Sequence, residues 1–175
     1  MGLFSRRKLP AGGRPRLAAD ERIVAWAGAT GDDVVVVTNL GLWLPGATER
    51  LGWHEIHKAT WSGRQLALVA AREVAHDDGY AVMEDLPPLV VTLLDPDKVP
   101  EQVRARVTKS VAYTSHHQLP GGGVRVAARR VPGRDGLRWT VRYDPGTPPV
   151  PEAAAAFVAH GLASITGGQT VASSG

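Results

Sequence analysis

Apolar and polar positions alternate through much of the first hundred residues, and the alternation is broken at short intervals by glycine, asparagine and aspartate. A period of two puts successive side chains on opposite faces of a strand. It predicts strands over 22–29, 34–38, 42–44, 56–62, 65–71, 80–83 and 89–94, the valine-rich 34–38 being the β-branched type that suits a pleated surface. Turns are expected at Gly31, Asn39, Gly63 and Gly79, where the local residues are turn formers. The period then changes. Val103, Val107 and Val111 recur every four residues with Arg104, Arg106 and Lys109 between them, behind Pro100 and Glu101. One apolar stripe behind a helix-start proline predicts a helix over 99–115. A second hairpin follows, 124–131 and 137–143 around 132–136, then a proline-rich connector over 145–151. Ala154, Phe157, Val158, Gly161, Leu162 and Ile165 fall on one face of a helix over 152–165, stopped by Gly167.

Six or seven short strands followed by a helix predict an α+β chain. Residues 1–19, rich in Gly, Pro and Arg without apolar periodicity, are expected to form a flexible basic arm, and 168–175 a frayed tail.

The chain has 175 residues, 43% of them hydrophobic, and no cysteine. Disulfides and thiolate chemistry are therefore excluded, and no apolar run is long enough for a membrane helix. The basic N-terminal stretch has no apolar run behind it, unlike a secretory signal. A cytoplasmic location is expected. Arginines outnumber lysines sixteen to four, and alanine and glycine are abundant, the codon bias of a GC-rich genome such as an actinobacterium's. The net charge of +3 is segregated. Residues 1–16 carry five basic groups and no acid, and residues 124–143 carry six arginines against Asp135, so the remainder carries −7. Inferences from the high pI belong to those two basic stretches.

The segments "VVTNLGLWL" and "LGWHEI" give a more specific resemblance. A strand ending in Thr-Asn, a turn, a strand opening on leucine, and a later aromatic–acidic–Ile step resemble bacterial pleckstrin-homology-like (PH-like) domains. The resemblance covers 20–117. It implies a split β-barrel capped by the 99–115 helix, and it implies no catalytic residue; the 121–167 hairpin and helix lie outside the resemblance and are expected to pack as an extension. Better-known members are binding and scaffolding modules. Members that hold phosphoinositides use basic residues in the first inter-strand loop. Here that loop is "ATGDD", and Asp32 and Asp33 would repel a phosphate.

The residues with chemical potential also have plainer roles. His54 and His57 point to opposite sides if they share a strand, as do His116 and His117, so no metal site is expected. In "LPGGGVRV" the glycines follow a helix and precede a strand, the reverse of a phosphate cradle. Gly167-Gly168-Gln169, a tripeptide resembling that of peptide release factors, lies in the expected tail. No Gly-x-Ser-x-Gly occurs, and the acidic pairs Asp77-Asp78 and Glu84-Asp85 fit solvated loops. Trp26, Trp43, Trp53 and Trp61 are expected in the barrel core. Gly2 lacks the hydroxyl residue at position 6 that N-myristoylation wants, whereas Leu3, Phe4, Arg6, Arg7 and Lys8 suit contact with an anionic membrane or a polyanion.

The last candidate is the second hairpin. Alternation puts Arg125, Arg129, Arg138 and Arg142 on one face, with Trp139, Val141 and Tyr143 on the other, beneath Phe157, Val158 and Leu162. Like charges on neighbouring strands repel, so this face suits an acidic neighbour, either the protein's own acidic body or a partner. The expected function is non-catalytic binding or scaffolding, without cofactor or metal, with an acidic protein as partner. Nucleic-acid binding through the basic arm and hairpin is the alternative, and small-molecule binding or an enzyme with scattered site residues is a third.

Overall fold

In the computed structural model, which describes residues 7–169, the chain is α+β, with eleven strands and two α-helices among those residues. β1 (Ile23–Ala29), β2 (Asp33–Thr38), β3 (Gly41–Trp43) and β4 (Leu51–Gly52) form one antiparallel sheet in chain order. β5 (Ile56–Ser62), β6 (Gln65–Asp77) and β7 (Tyr80–Asp85) begin a second sheet, and β8 (Leu89–Thr92) pairs with β6. After α1 (Val99–Ser110), the strands β9 (Val111–Leu119), β10 (Gly122–Arg130) and β11 (Leu137–Tyr143) complete that sheet in the order β5-β6-β7-β11-β10-β9. α2 (Pro151–Gln169) closes the fold.

The two sheets curl together at β8. Leu93 bridges to Ala29, Thr30 N–H donates to Thr92 O at 3.1 Å, and Leu94 N–H donates to Gly28 O at 2.9 Å. The half-barrel so formed is filled by Val35, Val37, Leu42, Ile56, Leu66 and Leu68, and α1 plugs it with Val99 and Val103, all fully buried. Burial of that valine stripe, about 2 kcal/mol per side chain, holds the helix there. β6 explains how one chain builds two cores. Leu66, Leu68 and Ala70 alternate inward along the half-barrel, then the strand leaves it, and from Ala71 onward it pairs with β7. The second core lies between α2 and one face of β9–β11, where Val124, Val126, Ala128, Trp139 and Val141 meet Ala154 and Val158.

Several expectations need correction. The predicted helix over 99–115 ends at Ser110, because Val111 onward is the β-branched, aromatic strand β9, paired along β10. The hairpin expected as an extension is the centre of the second sheet, since β11 pairs in parallel with β7 through Thr140 with Ala81 and Val141 with Val82. The arm expected to be flexible over 1–19 is, from Arg7, laid on the outside of β1 and β2. Arg7 bridges to Asp95 at 3.0 Å and sits over the Trp26 ring, 4.7 Å from its centroid. Gly13 packs against Val34. Trp26 is therefore an outer-face residue, and Trp61 is 37% exposed, whereas Trp43 and Trp53 are core as expected. Leu3, Phe4 and Arg6, and positions 170–175 of the tail, lie outside the described residues. Among the described residues no helix is long and apolar enough to cross a membrane.

The Thr-Asn step owes its turn to a buried acid that the strand pattern does not reveal. The Glu21 side chain has no solvent exposure. Its Oε1 accepts from Thr38 Oγ1 at 2.7 Å and Trp43 Nε1 at 2.9 Å, and its Oε2 from Arg50 Nη1 at 2.7 Å and Ala18 N–H at 3.0 Å. Thr38 Oγ1 in turn accepts from Gly41 N–H at 3.1 Å, and Trp53 Nε1 donates to Thr38 O at 3.1 Å. Asn39 ties the same turn to the start of β1, accepting from Arg22 N–H at 2.7 Å and donating to Asp20 O at 3.1 Å.

A candidate anion-binding recess

The β10–β11 register sets which arginines share a face. Arg125 lies opposite Arg142, Ala127 opposite Thr140, and Arg129 opposite Arg138. The other face is apolar and faces α2 through Ala154 and Val158, but Leu162 is 49% exposed and takes no part. The helix's contact stripe runs instead through Ala154, Phe157, Val158, Gly161 and Ile165.

The four arginines do not stand in a displayed row. Arg138 donates to Glu73 at 2.6 Å, and Arg142 donates to both Asp85 oxygens at 2.7 and 2.8 Å. These acids lie on β6 and β7, which the parallel β7–β11 pairing brings alongside. Arg129 is only 7% exposed. Its Nη1 donates to Ile56 O at 3.0 Å and to Ser110 Oγ at 3.1 Å, and its Nε is buried without a hydrogen-bond partner. Neighbouring Arg130 caps the same helix end, donating to Lys109 O at 3.0 Å. Arg125 is exposed and makes one long hydrogen bond, 3.4 Å, to Thr114 Oγ1.

Arg125, Arg129 and Arg142 line one recess of about 280 Å³ together with His57, Thr114 and Thr140. Burial, then the charge of Arg142, pushes Arg129 below the usual arginine range. A buried cation whose partners among the described residues are a carbonyl, a hydroxyl and the partial charge of a helix end is expensive to keep. Asp85 is held below the ordinary carboxylate value: its burial acts upward, but the hydrogen bond and charge of Arg142, followed by those of His57, outweigh it.

His57, at the start of β5, is the residue whose role alternation missed. The preceding Trp53–Glu55 is a turn of 3-10 helix, with Glu55 accepting from Gly52 N–H at 2.7 Å, so His54 and His57 do not share a strand. His57 Nδ1 lies 2.9 Å from Asp85 Oδ1 and 3.0 Å from Arg142 Nη1, with 7% of its side chain exposed. Burial first, then Arg142 and Arg129, lower it to about 4 despite Asp85. The imidazole is therefore neutral at neutral pH. Because the unfolded histidine takes a proton near 6.5 and the folded one near 4, the unfolded state binds more protons between those values. Stability is expected to fall as pH drops from 6.5 towards 4, and His57→Gln is expected to flatten that limb in denaturant titrations across the window. An unchanged slope would remove His57 from this role.

The remaining sequence candidates are dispersed. His116 pairs with Asp144 at 2.8 Å, and His117, on the opposite face of β9, stacks on Phe157 at 3.8 Å between ring centroids. Among the described residues no three His, Asp or Glu side chains converge in a way that would hold a metal ion. Lys8 is exposed on the arm. A larger hollow of about 930 Å³ lies between α1 and β5, walled by Ala59, Trp61, Leu66 and Val103, with Arg104 and Lys109 exposed on its rim. Its wall is mainly apolar, with Thr60, Glu101 and Thr108 also lining it, and it holds no buried charged side chain like Arg129, so the smaller, charged recess is the better candidate. Comparison of the chain with protein-family models, curated proteins and solved structures finds no match, and the geometry of the recess is what bears on function.

Proposed function

We propose that the chain is a non-catalytic binding module, built as a PH-like split barrel with a hairpin-and-helix second layer, that engages an acidic protein partner at the Arg125 recess. The barrel assignment is supported by the half-barrel of β1–β6 and β8 with α1 filling its interior. The observation that carries the binding proposal is Arg129, a cation buried beside Arg142 with neutral hydrogen-bond partners and an orphaned Nε. Such a charge lowers stability, and an acidic group arriving in the recess would offset it. Arg125 stands at the mouth with most of its donors unused. Nucleic acid fits less well, because a phosphate track needs several free cations in a row and Arg138 and Arg142 are already bound to Glu73 and Asp85.

The clean test is a single substitution. Replacing all four arginines would also strip Arg129 from α1 and free Glu73 and Asp85, whereas Arg125 is exposed and supports nothing but Thr114. Immobilised full chain is expected to retain an acidic protein from host lysate, with retention falling as salt rises, and Arg125→Glu is expected to lose about tenfold or more in affinity with its melting temperature unchanged. Retention indifferent to Arg125→Glu would reject the proposal. Salt-steep binding of duplex DNA at comparable affinity would replace it with the nucleic-acid alternative.

A further inference from the structure

The recess has a definite charge. Three arginines line it, Arg125, Arg129 and Arg142, against one carboxylate, Asp85. His57 is neutral at neutral pH, so it adds nothing. On the same sheet face Arg138, which lies outside the recess lining, is matched by Glu73. The excess is +2.

We infer that the recess is a site for a phosphate-class dianion, a phosphomonoester group held by Arg125 and Arg129 with Thr114 beside them. A carboxylate would leave one positive charge uncompensated in a partly buried site. A phosphomonoester carries about −1.5 to −2 at neutral pH and offers three acceptor oxygens. The donors suit it. The guanidinium of Arg125 spends one N–H on Thr114 and leaves the rest of its planar fork, the geometry that matches phosphate oxygens. Thr114 Oγ1 accepts from Arg125, which leaves its own proton to donate. Arg129 is fixed from behind by Ile56 O and Ser110 Oγ, so its position is set before the ligand arrives. Arg142 is held by Asp85, and its charge contributes without a direct bond. Preorganised cations are what a site needs to bind without first ordering its side chains.

The inference rests on the binding-module proposal, but the two fail separately. The probes for the full chain are inorganic phosphate and, at matched ionic strength, acetate. Saturable shifts of the Arg125 and Arg129 side-chain N–H signals are expected with phosphate, with acetate at least about tenfold weaker. Arg125→Gln is expected to weaken phosphate binding by about tenfold or more, and Arg125→Lys, which keeps the charge but not the fork, by less. No saturable shift, equal binding of acetate, or native phosphate affinity in folded Arg125→Gln would overturn the inference. If phosphate fails while capture of an acidic protein still depends on Arg125, the inference falls and the module stands. If phosphate binds and capture ignores Arg125, the anion site stands and the protein-partner proposal falls. A short O-phosphoserine peptide and its unphosphorylated twin identify the source. Tighter binding of the phosphopeptide than of inorganic phosphate marks a modified protein, and equal binding marks a free phosphomonoester; both support the site.

Discussion

Glu21→Ala is expected to lower the unfolding free energy by about 3–5 kcal/mol, the range for breaking a buried ion pair by removing one partner. Among the described residues the carboxylate is the only acceptor for Trp43 Nε1 and Arg50 Nη1, and it fixes Thr38 and the backbone at Ala18. Trp43 Nε1 would be left buried without its acceptor, while Arg50, 30% exposed, can turn to water, which favours the lower end of the range. Glu21→Gln does not repair the site, because one of its two terminal atoms becomes a donor facing donors. The acid limb gives a second readout. Burial would raise the Glu21 carboxyl, but the hydrogen bonds from Thr38, Trp43 and Ala18 and the charge of Arg50 hold it below 4.5. A carboxyl depressed in the folded state contributes stability above its unfolded value and loses it as pH falls. Native protein is therefore expected to lose stability below about pH 4.5, and Glu21→Ala to lose less over the same range. Denaturant titrations at neutral and acidic pH measure both effects. A loss under about 1 kcal/mol at neutral pH would show that the network is replaceable by water.

Glu21 also shows where sequence stops being informative. In the sequence it is one acid beside Arg22 at the foot of a strand, and nothing local marks it as the acceptor for residues 17, 22 and 29 positions away. Short-range patterns fared better. The alternation over 124–143 specified both faces of the hairpin, because a one-residue slip would have buried arginines under α2. The turns at Gly31, Gly63 and Gly79 were legible from residues that accept positive φ, which all three adopt. Elements whose limits are set by partners are not legible in the local pattern. The valine period runs on through Val111, yet β10 claims that residue for a strand and ends α1 at Ser110. β6 stops alternating at Ala71 and still continues to Asp77, because β7 pairs with it. The recess illustrates the same limit. Its arginines were on the expected face, but β7–β11 pairing decided that Arg138 and Arg142 meet Glu73 and Asp85, and the curl of the sheet buried Arg129 against Ile56 and Ser110. His57 entered the site through that same curl.

Gly161→Leu is expected to undo the docking of α2 and lower stability by about 3 kcal/mol, the upper part of the range for overpacking a core. A Cβ at this position would lie 2.7 Å from Tyr113 Cε1 and 2.8 Å from Trp139 Cζ3. Those rings hold each other, with centroids 5.5 Å apart, and Trp139 is 8% exposed in the second core. Neither can retreat without opening that core, so the helix must rise from the sheet. Gly161→Ala sets two effects against each other. Alanine gains about 1 kcal/mol of helix propensity over glycine, and the same close contacts oppose it. Destabilisation by alanine would show that the contact outweighs propensity. Leu162→Lys is the control. That side chain is 49% exposed one residue further on, and its change is expected to stay within about 0.5 kcal/mol. Trp139 supplies the spectroscopic test, since lifting α2 exposes its ring to water and shifts its emission to the red. A stable Gly161→Leu protein with native Trp139 emission would mean that α2 can ride higher on the sheet without penalty.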